Sequence, residues 1–223
     1  MGDAVAGNVA SIVLSTIGLA VAFGVTGVEE GDDLALGWST FVQALLWAGM
    51  LVAVLYATFA KGRRSLREDF ALVVRPIDAL IGLVAGFLGQ IAISLVTIPI
   101  YDVLGLDADR VGETAEEMAD RADDPIAVVA LVLVVVVGAP IVEELFYRGL
   151  WFRSVERRWS TGVAVVATSV LFGAIHLQPY DLLPLALFGL LAAGLLVRFG
   201  RLGPAIWAHV AFNLTAVVSL LTS

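Results

Sequence analysis

The chain has 223 residues, of which 60% are hydrophobic, and its mean hydropathy is +0.95. This apolar share exceeds the roughly 45–50% of a soluble domain, so the composition excludes a soluble globular protein and indicates an integral membrane protein. The chain has no cysteine, which excludes disulfides, thiolate zinc sites and a cysteine nucleophile. The formal net charge is −8, and the acid is concentrated in two stretches that we interpret as loops, Glu29–Asp33 and Asp107–Asp124.

Runs without Asp, Glu, Lys or Arg predict the membrane helices, because a bilayer core of about 30 Å needs about 20 apolar residues at 1.5 Å each. The predicted fold is all-α: a polytopic transmembrane helical bundle of about seven helices, within a range of roughly six to eight, that encloses a polar cavity. It forms one domain, residues 1–223. The predicted runs are Ala4–Val28, Leu34–Ala60, Ala79–Tyr101, Pro125–Val142, Thr161–Tyr180, Leu182–Val197 and Leu202–Ser223.

The basic residues predict the orientation. If the N-terminus is cytoplasmic, every Lys and Arg except Arg110 and Arg121 lies on the cytoplasmic side, as the positive-inside rule requires. We therefore expect a cell-membrane protein whose active site opens to the cytoplasm. The segment Arg148–Ser160 mixes charges with tryptophan and phenylalanine, which predicts an amphipathic helix at the cytoplasmic interface.

The stretch Pro140–Gly149 contains the first candidate site residues. It follows a charge-free run and carries Glu143, Glu144 and Arg148, although each charge at a membrane helix centre costs roughly 2.5–3.5 kcal/mol. In an α-helix, Glu144 and Arg148 are i,i+4 neighbours that can form an ion pair, whereas Glu143 is turned about 100° away. Glu143 is then a candidate general base. The alternative is that both acids end the helix and face water.

Both histidines of the chain, His176 and His209, fall inside apolar runs, which favours a functional role over a packing role for at least one of them. His209 is followed at i+4 by Asn213, so the imidazole and the amide lie on one helix face. An interhelical hydrogen bond is the alternative interpretation of Asn213.

These residues allow two chemistries. The two histidines, Glu143 and an amide carbonyl could hold a metal such as zinc, which would activate a water. Alternatively, Glu143 with His176 could activate water directly, while His209 and Asn213 donate hydrogen bonds to the oxyanion. The chain has no HExxH motif, and the residues leave both possibilities open.

The depth of His176 conflicts with a shared site. Counted at 1.5 Å per residue from the cytoplasmic edge, His176 lies far deeper than Glu143 and His209. We therefore expect the fifth helix to begin outside the bilayer, with Arg153 to Thr161 as a helical lead-in.

Three motifs carry a family resemblance: Glu143-Glu144-Leu-Phe-Tyr-Arg148, Phe172-Gly-Ala-Ile-His176 and His209-Val-Ala-Phe-Asn213. Their pattern of EExxxR, FxxxH and HxxxN, in this order, resembles the CPBP family. This family contains the type II CAAX prenyl proteases and their bacteriocin-processing relatives, often labelled Abi. The resemblance runs from about Pro125 to the C-terminus, so the catalytic motifs occupy 125–223.

The resemblance implies an intramembrane endopeptidase, a hydrolase described as metal-dependent for some members and as a glutamate protease for others. A zinc ion is thus an implied cofactor, with His176, His209 and Glu143 as its candidate ligands. By the same resemblance, Glu143 matches the catalytic glutamate and His176, His209 and Asn213 match the other catalytic positions. The supporting positions are Glu144, Arg148 and Phe172.

The implied substrate is a lipidated or membrane-anchored peptide or protein, since the type II relatives cleave the last three residues after a prenylated cysteine. Membrane lipid is the other expected partner, and no nucleic acid is expected. Two alternatives belong to other classes. One is a proton-coupled transporter with Glu143, His176 and His209 as a relay, although the chain shows no similar halves. The other is a non-catalytic scaffold or immunity protein on the same fold.

Overall fold

The structure of the chain is a computed structural model that describes residues 1–28 and 34–222, so the predicted acidic loop Glu29–Asp33 lies outside the described residues. Within these two ranges, all regular structure is helical and no strand occurs, which confirms the all-α prediction. The helices are α1 (Gly2–Thr26), α2 (Leu36–Lys61), α3 (Leu66–Phe70), α4 (Pro76–Leu104), α5 (Glu113–Asp120), α6 (Pro125–Glu156), α7 (Thr161–Ile175), α8 (Leu182–Phe199) and α9 (Gly203–Thr222).

Six helices of the described chain are long and apolar enough to cross a membrane, namely α1, α2, α4, α6, α8 and α9. Helix α7 is apolar but has only 15 residues. At 1.5 Å per residue it is about 22 Å long, which is less than the roughly 30 Å of a bilayer core. The protein is therefore an integral membrane protein with a polytopic helical bundle, as predicted, and its seventh apolar helix is short.

Helix α7 ends five residues earlier than the predicted Tyr180, because its last residue is Ile175 and His176 is the C-cap. Two local features stop it. Leu177 has a positive φ of 57°, which a helix cannot accommodate, and Pro179 disfavours helical geometry at the residue before it. His176 therefore lies at the beginning of a loop and not within a membrane helix.

Helix α7 begins at Thr161, where the Ser160 side chain caps it by accepting from the Val163 N–H at 3.2 Å. The expected helical lead-in from Arg153 is not part of this helix. Arg153 belongs to the end of α6, and the chain turns between Glu156 and Ser160.

The prediction of a separate interfacial helix over Arg148–Ser160 is wrong, because most of this segment is the final part of α6. Arg148, Trp151 and Phe152 are buried, and of the aromatic residues in this segment only Trp159 is exposed. The reason is tertiary contact: α6 ends beneath α3, where Gly149 packs against Phe70. An amphipathic pattern in the sequence does not distinguish a protein neighbour from the lipid interface.

Helices α4 and α9 pack closely because two glycines of α4 face α9. A Cβ atom added at Gly82 or Gly86 would collide with the backbone at Ala208. Small residues at such positions let membrane helices approach until their backbones touch. This contact fixes the position of α9, the helix that carries His209.

Two ion pairs tie helix ends together at one end of the bundle. Asp78, fully buried, accepts from Arg201 Nη2 at 2.6 Å and from the Arg75 N–H at 2.8 Å, which joins the beginnings of α4 and α9. Lys61 Nζ lies 2.6 Å from Asp3 Oδ1, which joins the beginning of α1 to the end of α2.

Replacing Gly86 by alanine should destabilise the protein, because the added methyl group must push α9 away. We expect a loss of about 1–3 kcal/mol in the free energy of unfolding, the usual cost of overpacking. Gly194 is the matched control, since it lies in α8 with open space around it and alanine is the better helix former by about 1 kcal/mol. Thermal unfolding in detergent measures both variants; equal midpoints would contradict the close α4–α9 contact.

Candidate active site

The two adjacent glutamates lie where α6 changes from α to π geometry. Glu143 ends an α-helical turn, and Glu144 begins a π-helical stretch that ends at Trp151. Hydrogen bonds in a π-helix span five residues, so successive side chains are separated by less than the about 100° of an α-helix. Glu144 pairs with Arg148 while Glu143 has no arginine partner among the described residues, yet both carboxylates approach the imidazole of His209.

A second π-helical stretch, Val132–Gly138, precedes the glutamates and is explained by Pro140. In this stretch the Ala139 N–H donates to the Val134 carbonyl, five residues back. The next donor in the same register would be residue 140, but proline has no N–H, so the Val135 carbonyl is left without a helical partner. Asn213 supplies the missing donor: its Nδ2 lies 2.8 Å from the Val135 oxygen.

His209 is held between the two glutamates inside the bundle. Its Nδ1 lies 3.0 Å from Glu144 Oε1, and because a carboxylate only accepts, Nδ1 carries the proton. Its Nε2 faces Glu143 Oε2 at 4.0 Å. This distance is too long for a direct hydrogen bond, but one water molecule can contact both atoms.

Arg148 neutralises Glu144 in a fully buried position. Its Nη1 lies 3.0 Å from Glu144 Oε1, at ion-pair distance although not in an aligned hydrogen bond. Its Nη2 donates to the Gly189 carbonyl at 3.4 Å, and the guanidinium lies over the Phe172 ring at 4.4 Å. A buried carboxylate needs such a partner, because an unpaired charge inside a membrane protein is strongly destabilising.

His176 is half-buried and is fixed by the helix end that carries it. Its Nδ1 donates to the Phe172 carbonyl at 2.6 Å, which leaves Nε2 outside this hydrogen bond. Among the described residues, no hydrogen bond or ion pair joins His176 to Glu143. The structure therefore brings Glu143 to His209, whereas the sequence-based proposal paired Glu143 with His176.

The loop after His176 is attached to the opposite end of the bundle from the ion pairs of Asp78 and Lys61. Asp181 Oδ1 accepts from the Gly112 N–H at 2.9 Å, and the Tyr101 hydroxyl donates to the Tyr180 carbonyl at 2.8 Å. Burial raises the pKa of Asp181 above its usual range, while the Gly112 hydrogen bond and the nearby His176 imidazole act in the opposite direction. These contacts hold His176 at a defined place beside the bundle interior.

Phe172 connects the two histidines, because its ring centroid lies 4.9 Å from that of His176 and 5.7 Å from that of His209. Its side chain is fully buried, so it forms a wall between the two imidazoles. Phe188 is a site residue that the sequence did not reveal: its ring lies 4.6 Å from that of His209. It sits in an unbroken apolar run with no polar neighbour, and nothing in the sequence marks it.

The described residues contain no group of three His, Asp or Glu side chains placed to hold a metal ion. Nδ1 of each histidine is already bonded, and the Asn213 amide is turned to Val135. The arrangement of Glu143, His176 and His209 therefore does not form a ligand set as it stands.

A double-mutant cycle should show that Asn213 compensates for Pro140. We expect Asn213→Leu to lower the free energy of unfolding by about 1 kcal/mol in the native background, because the Val135 carbonyl loses its partner. In a Pro140→Ala background the new backbone N–H at position 140 can donate to that carbonyl, so the same substitution should cost less. Thermal unfolding of the four proteins gives the coupling, and an additive cycle would contradict this account.

Comparisons with known proteins agree with the three motifs. Residues 125–215 match a family described as Rce1-like, type II CAAX prenyl endopeptidase Rce1-like. No curated protein and no solved structure matches the chain. The matched segment contains the π-helical glutamate motif, the Phe172–His176 motif and the His209–Asn213 motif, and it excludes α1 to α5. This match over residues 125–215 supports the resemblance to the CPBP family of membrane proteases that the three motifs carry.

Proposed function

We propose that the protein is an intramembrane endopeptidase and that Glu143 is its general base. One observation carries the proposal: Glu143 is a buried carboxylate without an arginine partner in the described chain, and it lies 4.0 Å from Nε2 of His209. A carboxylate and an imidazole that one water molecule can contact together are groups suited to hydrolysis by general base catalysis. The match of residues 125–215 to a family of endopeptidases supports the same activity.

The proposed reaction begins with one water held between Glu143 Oε2 and His209 Nε2. Glu143 takes a proton from this water as its oxygen attacks the carbonyl carbon of the scissile peptide bond. The carbonyl oxygen becomes an oxyanion in the tetrahedral intermediate. When the C–N bond breaks, the amine leaves with the proton that Glu143 had taken, which restores the carboxylate.

His209 stabilises the oxyanion in this scheme by donating from Nε2. Its Nδ1 bond to Glu144 fixes the ring, so the donor is in place before the reaction. A doubly protonated His209 with Arg148 balances the charges of Glu143 and Glu144, so the cluster is neutral as a whole. Neutrality matters here because the interior is a poor solvent for an unbalanced charge.

His176 and Asn213 complete the proposed site from two sides. Nε2 of His176 has no hydrogen-bond partner among the described residues. We assign this nitrogen to bind the attacking water or the peptide, on the side of the Phe172 ring opposite His209. Asn213 has two amide hydrogens, of which one bonds Val135. The second hydrogen is assigned to the oxyanion, together with His209.

The proposed substrate is a membrane-associated prenylated protein or peptide, as the family implies. The proposed orientation puts the N-terminus, the site opening and the basic loops at the cytoplasmic face of the cell membrane. The pairs Lys61–Asp3 and Arg201–Asp78 support it, since they gather these loops at one end, whereas Arg110 lies against Tyr180 at the other.

Glu143→Gln should abolish cleavage while leaving the fold intact, because an amide fills the same volume but cannot take a proton. We expect at least roughly a 10²-fold lower rate on a prenylated peptide that ends three residues after the modified cysteine. Glu156→Gln is the matched control: Glu156 is in the same helix, but it pairs with Arg153 at 2.8 Å outside the site. Peptide cleavage in detergent, followed by mass spectrometry, measures both.

Full activity of Glu143→Gln would refute the proposed base. If the native protein cleaved no lipidated peptide but moved protons or a solute across liposomes, the transporter hypothesis would replace the protease.

A zinc-dependent mechanism is the alternative to hydrolysis without a metal, and a separate experiment tests it. The donor geometry favours hydrolysis without a bound metal, since no three side chains of the described chain form a ligand set. We therefore expect activity to persist after dialysis against a strong chelator, with substoichiometric metal by elemental analysis. Activity that disappears on chelation and returns with added zinc, but not in His209→Ala, would establish the metal-dependent form instead.

A further inference from the structure

Tyr147 lies in the same aromatic compartment as the two histidines. It is 1% exposed, and its ring packs edge-on against Phe172 at 5.4 Å between centroids. Phe172 in turn contacts the rings of His176 and His209. Tyr147 also follows Glu143 by four residues in α6, and the charge of Glu143 acts on the phenol. The phenol is therefore a neighbour of the proposed base.

The hydroxyl group of Tyr147 is buried without a hydrogen-bond partner among the described residues. A buried hydroxyl that forms no hydrogen bond costs free energy, and phenylalanine would fill the same space without that cost. The protein does pair the hydroxyl of another buried tyrosine, Tyr101, which donates to the Tyr180 carbonyl. Packing explains the ring of Tyr147 but not its oxygen.

Apart from Nε2 of His209 and the second amide hydrogen of Asn213, the donors near Glu143 are already engaged. Arg148 is committed to Glu144 and to the Gly189 carbonyl, and one hydrogen of the Asn213 amide is committed to Val135. Carboxylates cannot donate when ionised. A substrate carbonyl that enters beside Glu143 thus finds in Tyr147 a neutral donor whose proton is not in use.

We propose that Tyr147 is a further catalytic residue, whose hydroxyl donates a hydrogen bond to the carbonyl oxygen of the scissile bond and strengthens that bond as the oxyanion forms. This inference rests on the proposed protease function. Tyr147 keeps its proton throughout, so no bond to it forms or breaks. Its contribution is electrostatic, and a donor fixed in the protein interior is effective because it needs no reorientation during the reaction.

The test is Tyr147→Phe, which removes only the hydroxyl oxygen. With a prenylated peptide as the substrate, we expect kcat to fall by roughly 10²-fold, the usual effect of losing one oxyanion donor, and KM to change little. The thermal midpoint should stay the same or rise, because the unpaired buried oxygen is gone. Tyr56→Phe, at an exposed tyrosine in α2, should change neither quantity.

A tyrosine with only a structural role cannot give a lower kcat together with an unchanged or higher thermal midpoint. An unchanged kcat in Tyr147→Phe would overturn the inference. A fall in kcat with a lower thermal midpoint, or with a shifted acidic limb of the pH–rate profile, would also overturn it, because the hydroxyl would then act on the fold or on Glu143.

Different experimental results would refute the proposed protease function itself. If Glu143→Gln cleaved at the native rate, or if the native protein cleaved nothing, the base assignment or the protease itself would be refuted, and the inference on Tyr147 with it. Native cleavage, an inactive Glu143→Gln and a fully active Tyr147→Phe would refute the Tyr147 inference alone.

Discussion

The buried ion pair between Glu144 and Arg148 is the interaction on which the site depends. Both side chains are fully buried, and each would be strongly destabilising alone in a membrane protein interior. Together they form a fixed acceptor for Nδ1 of His209, which determines the tautomer and orientation of that ring. The pair therefore does more than make a charged helix tolerable. It turns the second nitrogen of His209 toward Glu143, the glutamate of the motif that has no arginine partner in the described chain.

The backbone geometry of α6 determines where Glu144 and Arg148 lie. Pro140 cannot donate a backbone hydrogen, and the stretch before it is a π-helix in which the Val135 carbonyl lacks a helical partner. Asn213 of α9 satisfies that carbonyl and so ties α9 to α6 one turn away from His209. The glycines of α4 press α9 from the other side. The hydrogen bond between Asn213 and the Val135 carbonyl thus helps to set the distance between His209 and the glutamates.

The sequence predicted what depends on local pattern. Hydrophobic runs predicted the spanning helices, and i,i+4 spacing predicted the pair of Glu144 and Arg148. It did not predict the π-helical stretches, because side-chain periodicity carries no signal for hydrogen bonds that span five residues. Nor did it predict that Glu143 approaches His209, with no hydrogen bond or ion pair to His176 among the described residues. That arrangement depends on where α7 ends and on the aromatic ring of Phe172, which are products of packing between distant segments.

Adjacent residues in this motif carry separable tasks, and burial explains why. Removing the carboxylate of Glu144 would leave Arg148 as an uncompensated charge and would free Nδ1 of His209, so its loss would act first on folding. In the described chain Glu143 has no ion-pair partner other than His209, so its loss leaves the pair of Glu144 and Arg148 intact. The protein can therefore keep a reactive carboxylate in its interior only because the neighbouring carboxylate supports the fold. A site arranged in this way can gain or lose its chemistry by a change at residue 143 without losing its structure.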